Sequence, residues 1–563
     1  MKKRTLLLSL ALVLVLSACG QAEEKKAGAD ETAGTVQEDV NGAEGEASQD
    51  TTDADGEASQ DSADTEGETS EEDPKDDTEP STEPDSGSDG DAGEVWVMEE
   101  APAIRNSISE EDKIKGQNDI LEKGTKLYSG KTNEGYYPSD IAWLTGASKD
   151  DAVALIFACD DPTHGGWGVL GMSVKAPDKN SKQLDIAAYS DDPGKERLIV
   201  YSMDDILKIA NADKLSDINS FSLGAWNGGR IAGLYYLPAT EAKELNTYLA
   251  NIEETEKIIH TYTGELSNEN AIENAKIVYD YLQEVYGTVC LTGQMESTWM
   301  GSADYELNYI ENNTGKLPAI RGLDFMHNDF AGVTKRAQEW WEKGGIPTIC
   351  WHTGSDFASG YDESKSHDLN WEEAFVPGTD TYNKLLEDMD RAVPYLQQLE
   401  DAEVPVLWRP FHELDGGWFW WSKGGADSFV KLWQLMYSRY TDYWGLDNLI
   451  WVLGYSGNGG NMDAWYPGDT YVDLLGADSY NPGANVNLFE ECDKLAPEGM
   501  PIVFHECGTI PTEAQMDAGA PWSFFMVWHT DYITKEANNT KASLNEIYNS
   551  EYFITLDELP FKK

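Results

Sequence analysis

Basic residues are scarce in this sequence, and the patterns that hold metals, phosphates or nucleotides are missing. Its 563 residues include 41 Lys and Arg against 102 Asp and Glu, a formal net charge of −61. Nucleic acids and anionic membrane surfaces attract basic surfaces, so this charge argues against both and favours neutral ligands. The six cysteines include no Cys-x-x-Cys pair, and the sequence has no zinc motif, phosphate-binding glycine loop or dinucleotide fingerprint. We therefore predict no metal and no cofactor.

Long apolar runs are scarce as well, and the run nearest the start is too short to span a membrane. It covers residues 6–16, follows the basic residues 2–4, and has the length of a secretory signal. It closes with Leu-Ser-Ala-Cys-Gly at 16–20, which resembles the lipobox of bacterial lipoproteins, where cleavage before the cysteine frees it for acylation. We predict a lipoprotein signal peptide over residues 1–18 and lipidation of Cys19, which would hold the protein on the extracellular face of a bacterial cell membrane. The alternative is a soluble secreted protein whose signal happens to contain a cysteine.

The segment that follows has no aromatic residue and almost no aliphatic one. Residues 20–94 hold about 27 acidic residues and three lysines. Such a chain cannot bury enough apolar surface to offset the entropy that it would lose on ordering. We predict that residues 19–94 are a disordered acidic tether, a spacer between the envelope and the folded part. Since this tether carries about −24 and residues 1–18 about +3 of the formal −61, about −40 is left on the rest of the chain.

Beyond residue 265, short apolar runs alternate with amphipathic stretches of helical length, a pattern typical of βα units around a parallel sheet. The predicted strands are 288–292, 317–323, 346–351, 404–408, 449–453, 472–477, 501–504 and 524–527. The predicted helices include 273–286, 332–343, 382–399 and 428–443. Eight strands with intervening helices predict an α/β fold, a (β/α)8 TIM barrel over residues 266–563, whose chemistry lies at the carboxyl ends of the strands.

Polar and aromatic residues gather at those predicted strand ends. They are Gln294, Asp324, His352, Glu413, Asp478, Tyr480, Glu506 and Trp528. Glu413 and Glu506 follow the fourth and seventh strands, each directly after a histidine, and a loop with four aromatic residues follows Glu413. Glycoside hydrolysis needs two carboxylates, one to protonate the leaving oxygen and one to attack or to activate water, and aromatic rings stack on the apolar faces of sugars. In the alternative interpretation, each Glu is an ordinary strand-end residue paired with Arg409 or a lysine.

The segment around Glu413 resembles a known family. Residues 409–421 read Arg-Pro-Phe-His-Glu-Leu-Asp-Gly-Gly-Trp-Phe-Trp-Trp. This resembles the acid/base segment of glycoside hydrolase family 26, the retaining β-mannanase family, which usually reads Arg-Pro-x-His-Glu-x-Asn-Gly-x-Trp-Phe-Trp-Trp-Gly. Asp415 and Ser422 stand where that family usually has Asn and Gly. The resemblance covers roughly the last 300 residues and implies nothing about the first 260.

The resemblance implies a division of roles among the strand-end residues. Glu413 matches the acid/base and Glu506 the nucleophile. The residues that match substrate-binding positions are His352, His412, Trp418, Tyr480 and Trp528, of which Tyr480 also matches a hydrogen-bond donor to the nucleophile. Cys507 departs from the phenylalanine often found after the nucleophile, so the second motif is less specific than the first.

Some of these residues also have a structural interpretation. His352 could be a hydrogen-bonded core histidine, and Trp528 could pack under the barrel mouth. Asp324 and Asp478 are ambiguous, because either could be a structural partner of an arginine in the barrel.

The function that the resemblance implies is a retaining endo-β-1,4-mannanase that hydrolyses mannan, glucomannan or galactomannan by double displacement. Mixed-linkage β-glucanases and β-1,3-xylanases of the same family share the two glutamates, so both stay as alternatives. A surface glycan-binding lipoprotein without activity is an alternative from another class, although a binding protein has no use for the second carboxylate. The partners predicted are a β-mannan type of polysaccharide and, through the lipid anchor, the membrane. A monomer and no contact with nucleic acid are predicted.

The region before the barrel has the texture of a small antiparallel β-sandwich. Apolar runs at 152–159, 168–174, 197–201 and 231–237 are separated by turn clusters, and helices are predicted at 203–210 and 240–260. The aromatic residues of this region include Tyr136, Tyr137, Trp143, Trp167 and Trp226. They suit a carbohydrate-binding module over residues 95–265, but in a small sandwich such rings more often form the core.

Overall fold

The computed structural model describes residues 95–128, 135–139, 141–159, 167–175, 183–189, 195–226, 228–354, 358–457 and 461–561. The predicted signal peptide, Cys19 and the predicted tether lie outside these described residues. Within them, every helix is too short or too polar to cross a membrane.

Two antiparallel sheets precede the barrel. Their strands are β1 (Thr125–Tyr128), β2 (Gly135–Ser139), β3 (Ala152–Cys159), β4 (Trp167–Lys175), β5 (Gln183–Tyr189), β6 (Arg197–Ser202), β7 (Ser220–Trp226) and β8 (Gly229–Leu237). The strand orders are β1-β8-β3-β6 and β2-β7-β4-β5. The helices of this region are α1 (Glu110–Leu121), α2 (Met203–Ala210) and α3 (Ala239–Thr255).

Strand β3 shows why this region folds as a sandwich. Its side chains alternate, so that Val153 and Leu155 pack with Leu223 in the core between the sheets. The opposite face, with Ala154, packs against helices α1 and α3 through Leu245. A strand covered on both faces is apolar throughout, as the 152–159 run is. Helix α3 ends at Thr255, earlier than predicted, and an extended segment follows.

The aromatic residues of the sandwich are partly accounted for by its core. The Trp143 ring packs edge-on against Phe221 at a centroid distance of 5.6 Å and beside Tyr236 at 5.4 Å. Trp226 is half-buried on β7. The side chains of Tyr136, Tyr137 and Trp167 are not among those that the structure describes. Trp143 therefore belongs to the packing of the sandwich.

Parallel strands form a closed barrel in the second region, as predicted. In barrel order they are β10 (Gly293–Met295), β11 (Ile320–Asp324), β12 (Ile346–Cys350), β13 (Val406–Arg409), β14 (Leu449–Tyr455), β15 (Leu474–Ser479), β16 (Ile502–Cys507) and β17 (Phe525–Val527). The helices are α4 (Glu273–Val285), α5 (Tyr305–Thr314), α6 (Phe330–Glu342), α7 (Tyr361–Ser366), α8 (Asp380–Asp390), α9 (Val393–Asp401), α10 (Ala426–Ser438), α11 (Val486–Leu495), α12 (Glu513–Asp517), α13 (Asp531–Thr534) and α14 (Lys541–Tyr548). Helix α6 buries Val333, Ala337 and Trp340, spaced by four and three residues, against the barrel.

The first predicted barrel strand, residues 288–292, ends before the barrel strand begins. The apolar pair Cys290–Leu291 forms β9, which pairs with β18 (Phe553–Ile554) outside the barrel ring. The barrel strand β10 begins at Gly293 and includes Gln294, whose buried side-chain amide donates to the carbonyl oxygens of Val527 and Trp528 at 3.2 and 3.1 Å. A polar residue whose side-chain amide is paired inside the barrel breaks the apolar pattern that the prediction relied on.

The predicted helix over 382–399 is two helices. α8 ends at Asp390 and α9 begins at Val393, with Pro394 in its first turn. Proline lacks the amide that an interior helical position must donate, so it is accommodated where a helix starts.

A pair of extended segments joins the sandwich to the barrel. Arg105 and Ile258 form an antiparallel bridge, and the Arg105 guanidinium pairs with Asp463 at 3.1 Å. Nearby, Asp469 accepts hydrogen bonds from the backbone amides of Thr261 and Tyr262 at 2.5 and 2.8 Å. The sandwich is therefore attached to the barrel surface by two strands of chain side by side.

Candidate active site

The chain turns sharply between β13 and the first predicted carboxylate. Phe411 and Glu413 both have left-handed backbone conformations, with φ of 50° and 52°. A left-handed backbone conformation costs about 1–3 kcal/mol of folding free energy for a residue other than glycine, and it persists where surrounding contacts hold it. Here the Leu414 amide donates to the Gly454 carbonyl at 3.2 Å, and the Trp421 indole donates to the His412 carbonyl at 2.9 Å. These contacts turn Glu413 into the barrel mouth.

The four aromatic residues after Glu413 divide into two groups. Phe419, Trp420 and Trp421 are buried, and the rings of Phe419 and Trp421 stack at 4.5 Å. The Trp420 indole donates to the Thr353 carbonyl at 2.6 Å, so these three rings support the loop. Only Trp418 of the four is half-buried and borders open space. Of the four aromatic residues, Trp418, the one predicted to bind substrate, is therefore the one whose ring borders the cleft.

Trp418 is fixed against the first glutamate. Its indole Nε1 donates to Glu413 Oε2 at 2.6 Å. Gly416 makes room for the ring, because a Cβ at that position would lie 2.4 Å from the Trp418 ring carbons. Asp415, at the usual Asn position, accepts from the Ser456 amide and hydroxyl at 2.6 and 2.8 Å and so ties this loop to the one after β14.

The second glutamate lies inside a strand. Glu506 belongs to β16 and is 2% exposed. Arg409 Nη1 donates to its Oε1 at 2.7 Å, and the Tyr480 hydroxyl donates to its Oε2 at 2.9 Å. His412 Nε2 lies 3.7 Å from Oε1. Both carboxylate oxygens therefore have a donor in a fixed position.

Glu413, Glu506 and Asp478 meet in the barrel mouth. One carboxylate oxygen of each lies within 4.8 Å of the others. Glu413 and Asp478 border a cleft of about 660 Å³. Its lining is Glu413, Trp418, Ser456, Gly457, Asp478, Ser479, Tyr480, Asn481, Asn485, Val486, Asn487, Leu488 and Glu491. The structure thus brings the two predicted catalytic residues together and adds a third acid between them.

Burial and neighbouring charges set the protonation states of these groups. Burial raises the pKa of Asp478 well above its ordinary range, and the adjoining Glu413 carboxylate raises it further, which favours the protonated form of Asp478. Burial also raises the pKa of Glu506, which the Arg409 guanidinium opposes and Glu413 reinforces. Burial and Arg409 lower the pKa of His412 well below its usual value, so this imidazole is neutral.

His352 lies just past the end of β12, where it is hydrogen-bonded and buried. Its Nδ1 lies 2.5 Å from Asp324 Oδ2, and its backbone amide donates to Oδ1 at 3.0 Å. Burial alone would lower the pKa of His352, but the Asp324 carboxylate raises it, and the same pairing lowers the pKa of Asp324. The His352 ring approaches the rings of His412 at 4.6 Å and Trp528 at 6.2 Å. Asp324 is thus a partner of His352 rather than of an arginine.

Two groups of side chains have the spacing of metal ligands. They are Glu413, Asp478 and Glu506, and Asp324, Cys350 and His352. In the second group the Cys350 thiol has its pKa raised well above the ordinary value by burial, which disfavours the thiolate that binds metals. In the first group the glutamates already accept from Arg409, Tyr480 and Trp418. Close spacing alone does not make either group a metal site.

Three contributions to the site were not assigned from sequence. The sequence alone does not decide whether Asp478 has a structural or a catalytic role, although its place at a strand end, two residues before Tyr480, indicates a position near the site. Arg409 was considered only as a structural partner, and it holds the predicted nucleophile. His505 contacts Arg409 Nη1 through Nδ1 at 3.1 Å, which no feature of the sequence indicates.

Comparison with known proteins places this geometry among glycoside hydrolases. The family model described as Glycosyl hydrolase family 26 matches residues 267–558. A mannan endo-1,4-beta-mannosidase of Thermothelomyces thermophilus is 33% identical in an alignment 324 residues long that covers 53% of this chain and 64% of that protein. Mannan endo-1,4-beta-mannosidase A of a Piromyces species is 34% identical in an alignment 316 residues long that covers 52% of this chain and 50% of that protein. This chain thus spans about half to two thirds of the length of these relatives.

A solved structure covers more of the chain. A ruminal GH26 endo-beta-1,4-mannanase superposes with a TM-score of 0.51 at 26% identity and covers 78% of this chain and 94% of its own. The family match covers residues 267–558 alone, so the superposition extends into the region before the barrel.

Proposed function

Because this chain belongs to glycosyl hydrolase family 26, we propose that it is a retaining endo-β-1,4-mannanase. The observation that carries the mechanism is the separation of the two glutamates, whose nearest carboxylate oxygens lie within 4.8 Å. Retaining enzymes hold these groups roughly 5–5.5 Å apart, and inverting ones roughly 6.5–9.5 Å apart to leave room for a water. A pair this close supports direct attack on the sugar by the second carboxylate.

In the first step, Glu506 attacks the anomeric carbon and Glu413 protonates the glycosidic oxygen that leaves. Arg409 and Tyr480 hold Glu506 through both oxygens, which orients the attacking one and favours its ionised form. Trp418 orients Glu413 through its indole N–H. The bond from the anomeric carbon to the leaving oxygen breaks as the ester bond to Glu506 forms.

In the second step, Glu413 has lost its proton and acts as a base. It takes a proton from water, the oxygen of which attacks the anomeric carbon and displaces Glu506. Two displacements at one carbon restore the original anomeric configuration. Neutral His412 lies beside Glu506 and is suited to donating a hydrogen bond to a sugar hydroxyl without adding charge. Trp418 lines the cleft, and the His352 ring contacts those of His412 and Trp528, so Trp418, His352 and Trp528 complete the proposed sugar site.

The mannan substrate rests on the relatives named above, and the test is a direct comparison of polysaccharides. Mannan, glucomannan, mixed-linkage β-glucan and β-1,3-xylan are incubated with the full protein, and reducing ends are measured. Preferred release from the two mannans supports the proposal. Preferred release from β-glucan or xylan would assign the same two glutamates to the alternative activity within the family.

The stereochemical part has its own test. Proton NMR of the first products should show the β-anomer before mutarotation. An initial α-anomer would contradict retention. Binding of mannan without release of reducing ends would indicate instead a glycan-binding protein without activity.

We also propose that the enzyme is displayed on the bacterial surface as a lipoprotein. The support is the basic start, the apolar run 6–16 and the Leu-Ser-Ala-Cys sequence ending at Cys19. Residues 19–94 would act as the acidic spacer, and residues 95–265 as a module that binds polysaccharide. Labelling of cells with a fatty-acid analogue should mark the wild type and not Cys19→Ser. Label on both proteins would contradict lipidation at Cys19.

A further inference from the structure

An exposed tryptophan and methionine stand side by side on the loop after the first barrel strand. Trp299 is 48% exposed and Met300 42% exposed, although most large apolar side chains of the described barrel are buried. Their loop begins at the carboxyl end of β10, the end of the barrel that bears the glutamates. Nothing in the catalytic steps above uses either residue.

Buried ion pairs hold this loop in place at its start. Glu296, which is buried, pairs with Arg321 at 2.6 Å and with Arg336 at 2.8 Å. Arg321 also donates to the Ala303 carbonyl at 3.0 Å and pairs with Asp304 at 2.9 Å. Both ends of the segment that carries Trp299 are therefore fixed to one guanidinium.

A second buried acid joins this loop to the one after the last barrel strand. Glu306 accepts from the Ser297 hydroxyl at 2.6 Å and from the Thr530 amide at 2.8 Å. Thr530 directly follows His529, whose ring meets the Trp299 ring edge-on at 4.7 Å. The exposed tryptophan thus has a fixed position relative to the eighth strand end.

From Trp299 a series of ring contacts leads to the reaction centre. His529 lies 4.8 Å from Trp528, Trp528 lies 6.2 Å from His352, and His352 lies 4.6 Å from His412. His412 is next to Glu506. Burial lowers the pKa of His529 to about 4, so this ring is uncharged near neutral pH. Within the series, His352 and His412 are buried, and Trp299, Trp528 and His529 keep accessible surface. These accessible rings offer apolar faces to a sugar.

The position of the acid assigns a direction to this surface. Glu413 protonates the leaving oxygen, and the cleft lined by Glu413 and Trp418 extends toward Ser456, in the loop after β14, and Asn481, in the loop after β15. The sugar that leaves therefore occupies that cleft. The series from His412 to Trp299 runs through the loops after β12, β17 and β10, beside the sugar bound to Glu506.

On the basis of the proposed function, we propose that Trp299 is the sugar-stacking platform of a distal subsite for the part of the chain retained on Glu506. Met300 extends the platform beside it. The site takes a neutral β-linked hexose unit several positions from the cleaved bond. Its role is to bind long chains, so it should matter for polysaccharides and long oligosaccharides and not for short ones.

The test uses nitrophenyl β-manno-oligosaccharides with one to six sugars. Their aryl group fills the leaving position, so every sugar lies on the Glu506 side. For Trp299→Ala, kcat/KM should equal that of the wild type on the short members and fall roughly ten-fold beyond a threshold length, as expected for loss of one stacked ring. Trp299→Phe should recover most of the loss.

Trp444→Ala is the matched control, because Trp444 is 41% exposed but follows helix α10, near the amino-terminal end of β14. It should behave as the wild type at every length. A ratio of Trp299→Ala to wild type that is constant with length would overturn the proposal. A loss seen only with oligosaccharides that extend past the leaving position would overturn its direction. An inactive wild type on all these mannosides would instead contradict the proposed function.

Discussion

The ends of the fourth and seventh strands present the same side chain in opposite settings. Glu413 sits on a loop in a left-handed conformation, is half-buried, and accepts from a neutral indole. Glu506 sits within a strand, is 2% exposed, and accepts from a guanidinium and a phenol. A group that must release and regain a proton needs contact with the cleft. A group that must stay ionised and attack needs a cation and a rigid backbone.

The largest expected effect is the removal of either glutamate. Glu506→Ala should lose at least about 1,000-fold in kcat on every substrate, because no nucleophile remains. Glu413→Ala should lose roughly 100- to 10,000-fold on mannan but retain the first step on an activated aryl glycoside, which needs little protonation. Azide should then give an inverted product with Glu506→Ala and a retained product with Glu413→Ala, as NMR would show. One azide product from both variants would mean that the two roles are assigned wrongly.

The next effect concerns the cation beside Glu506. The acid limb of kcat/KM against pH should lie above pH 4.5, because burial raises the pKa of this nucleophile more than Arg409 lowers it. Arg409→Gln removes the positive charge that stabilises the ionised Glu506. The pKa of Glu506 should therefore rise, and the acid limb should shift to higher pH by about one to three units.

Arg409→Lys is the control for this shift, since it keeps the charge and should leave the limb close to its original position. The position of the acid limb is measured for both variants from burst kinetics with an aryl glycoside at a series of pH values. A limb that moves equally in both would show that geometry, and not charge, controls Glu506.

A smaller effect separates the two hydrogen-bond donors. Tyr480→Phe and Trp418→Phe each remove one donor to a carboxylate, a contact worth about 1.5–3 kcal/mol. Tyr480→Phe should reduce kcat/KM by roughly 10- to 100-fold on mannan and on aryl glycosides alike, because both need the nucleophile. Trp418→Phe should reduce it on mannan and much less on activated aryl glycosides, because only mannan needs the proton. Equal losses on both substrates for Trp418→Phe would contradict a link to the acid.

The smallest effect is on stability. At position 413 glycine should be more stable than alanine by about 1 kcal/mol, because φ is positive there. At position 506, inside β16, the order should reverse by a similar amount. Urea unfolding of the four variants measures both differences. Alanine more stable at both positions would mean that the backbone at Glu413 relaxes easily.

The barrel and the catalytic pair were accessible from sequence because apolar runs and strand-end carboxylates are local signals. The first strand was not, since the Gln294 side-chain amide donates to backbone carbonyls at the end of the eighth strand and just beyond it, far away in sequence. The raised pKa of Asp478 depends on burial and on two other carboxylates brought close only by barrel closure. The burial of Phe419, Trp420 and Trp421 depends on partners such as Thr353. Residue identity names the reacting groups, and long-range contacts determine their charge and exposure.

The paired segments at Arg105 and Ile258 connect the sandwich to the barrel at a single place. Its chain enters and leaves through two neighbouring residues that are already bridged. Residues 106–257 could therefore be excised and Arg105 joined to Ile258 by a short turn, with the contacts to Asp463 and Asp469 left in place. A simple cut at residue 265 would remove those contacts. The sandwich is in this sense a long loop on the barrel. Another domain could replace it if the two ends of that domain lie close together.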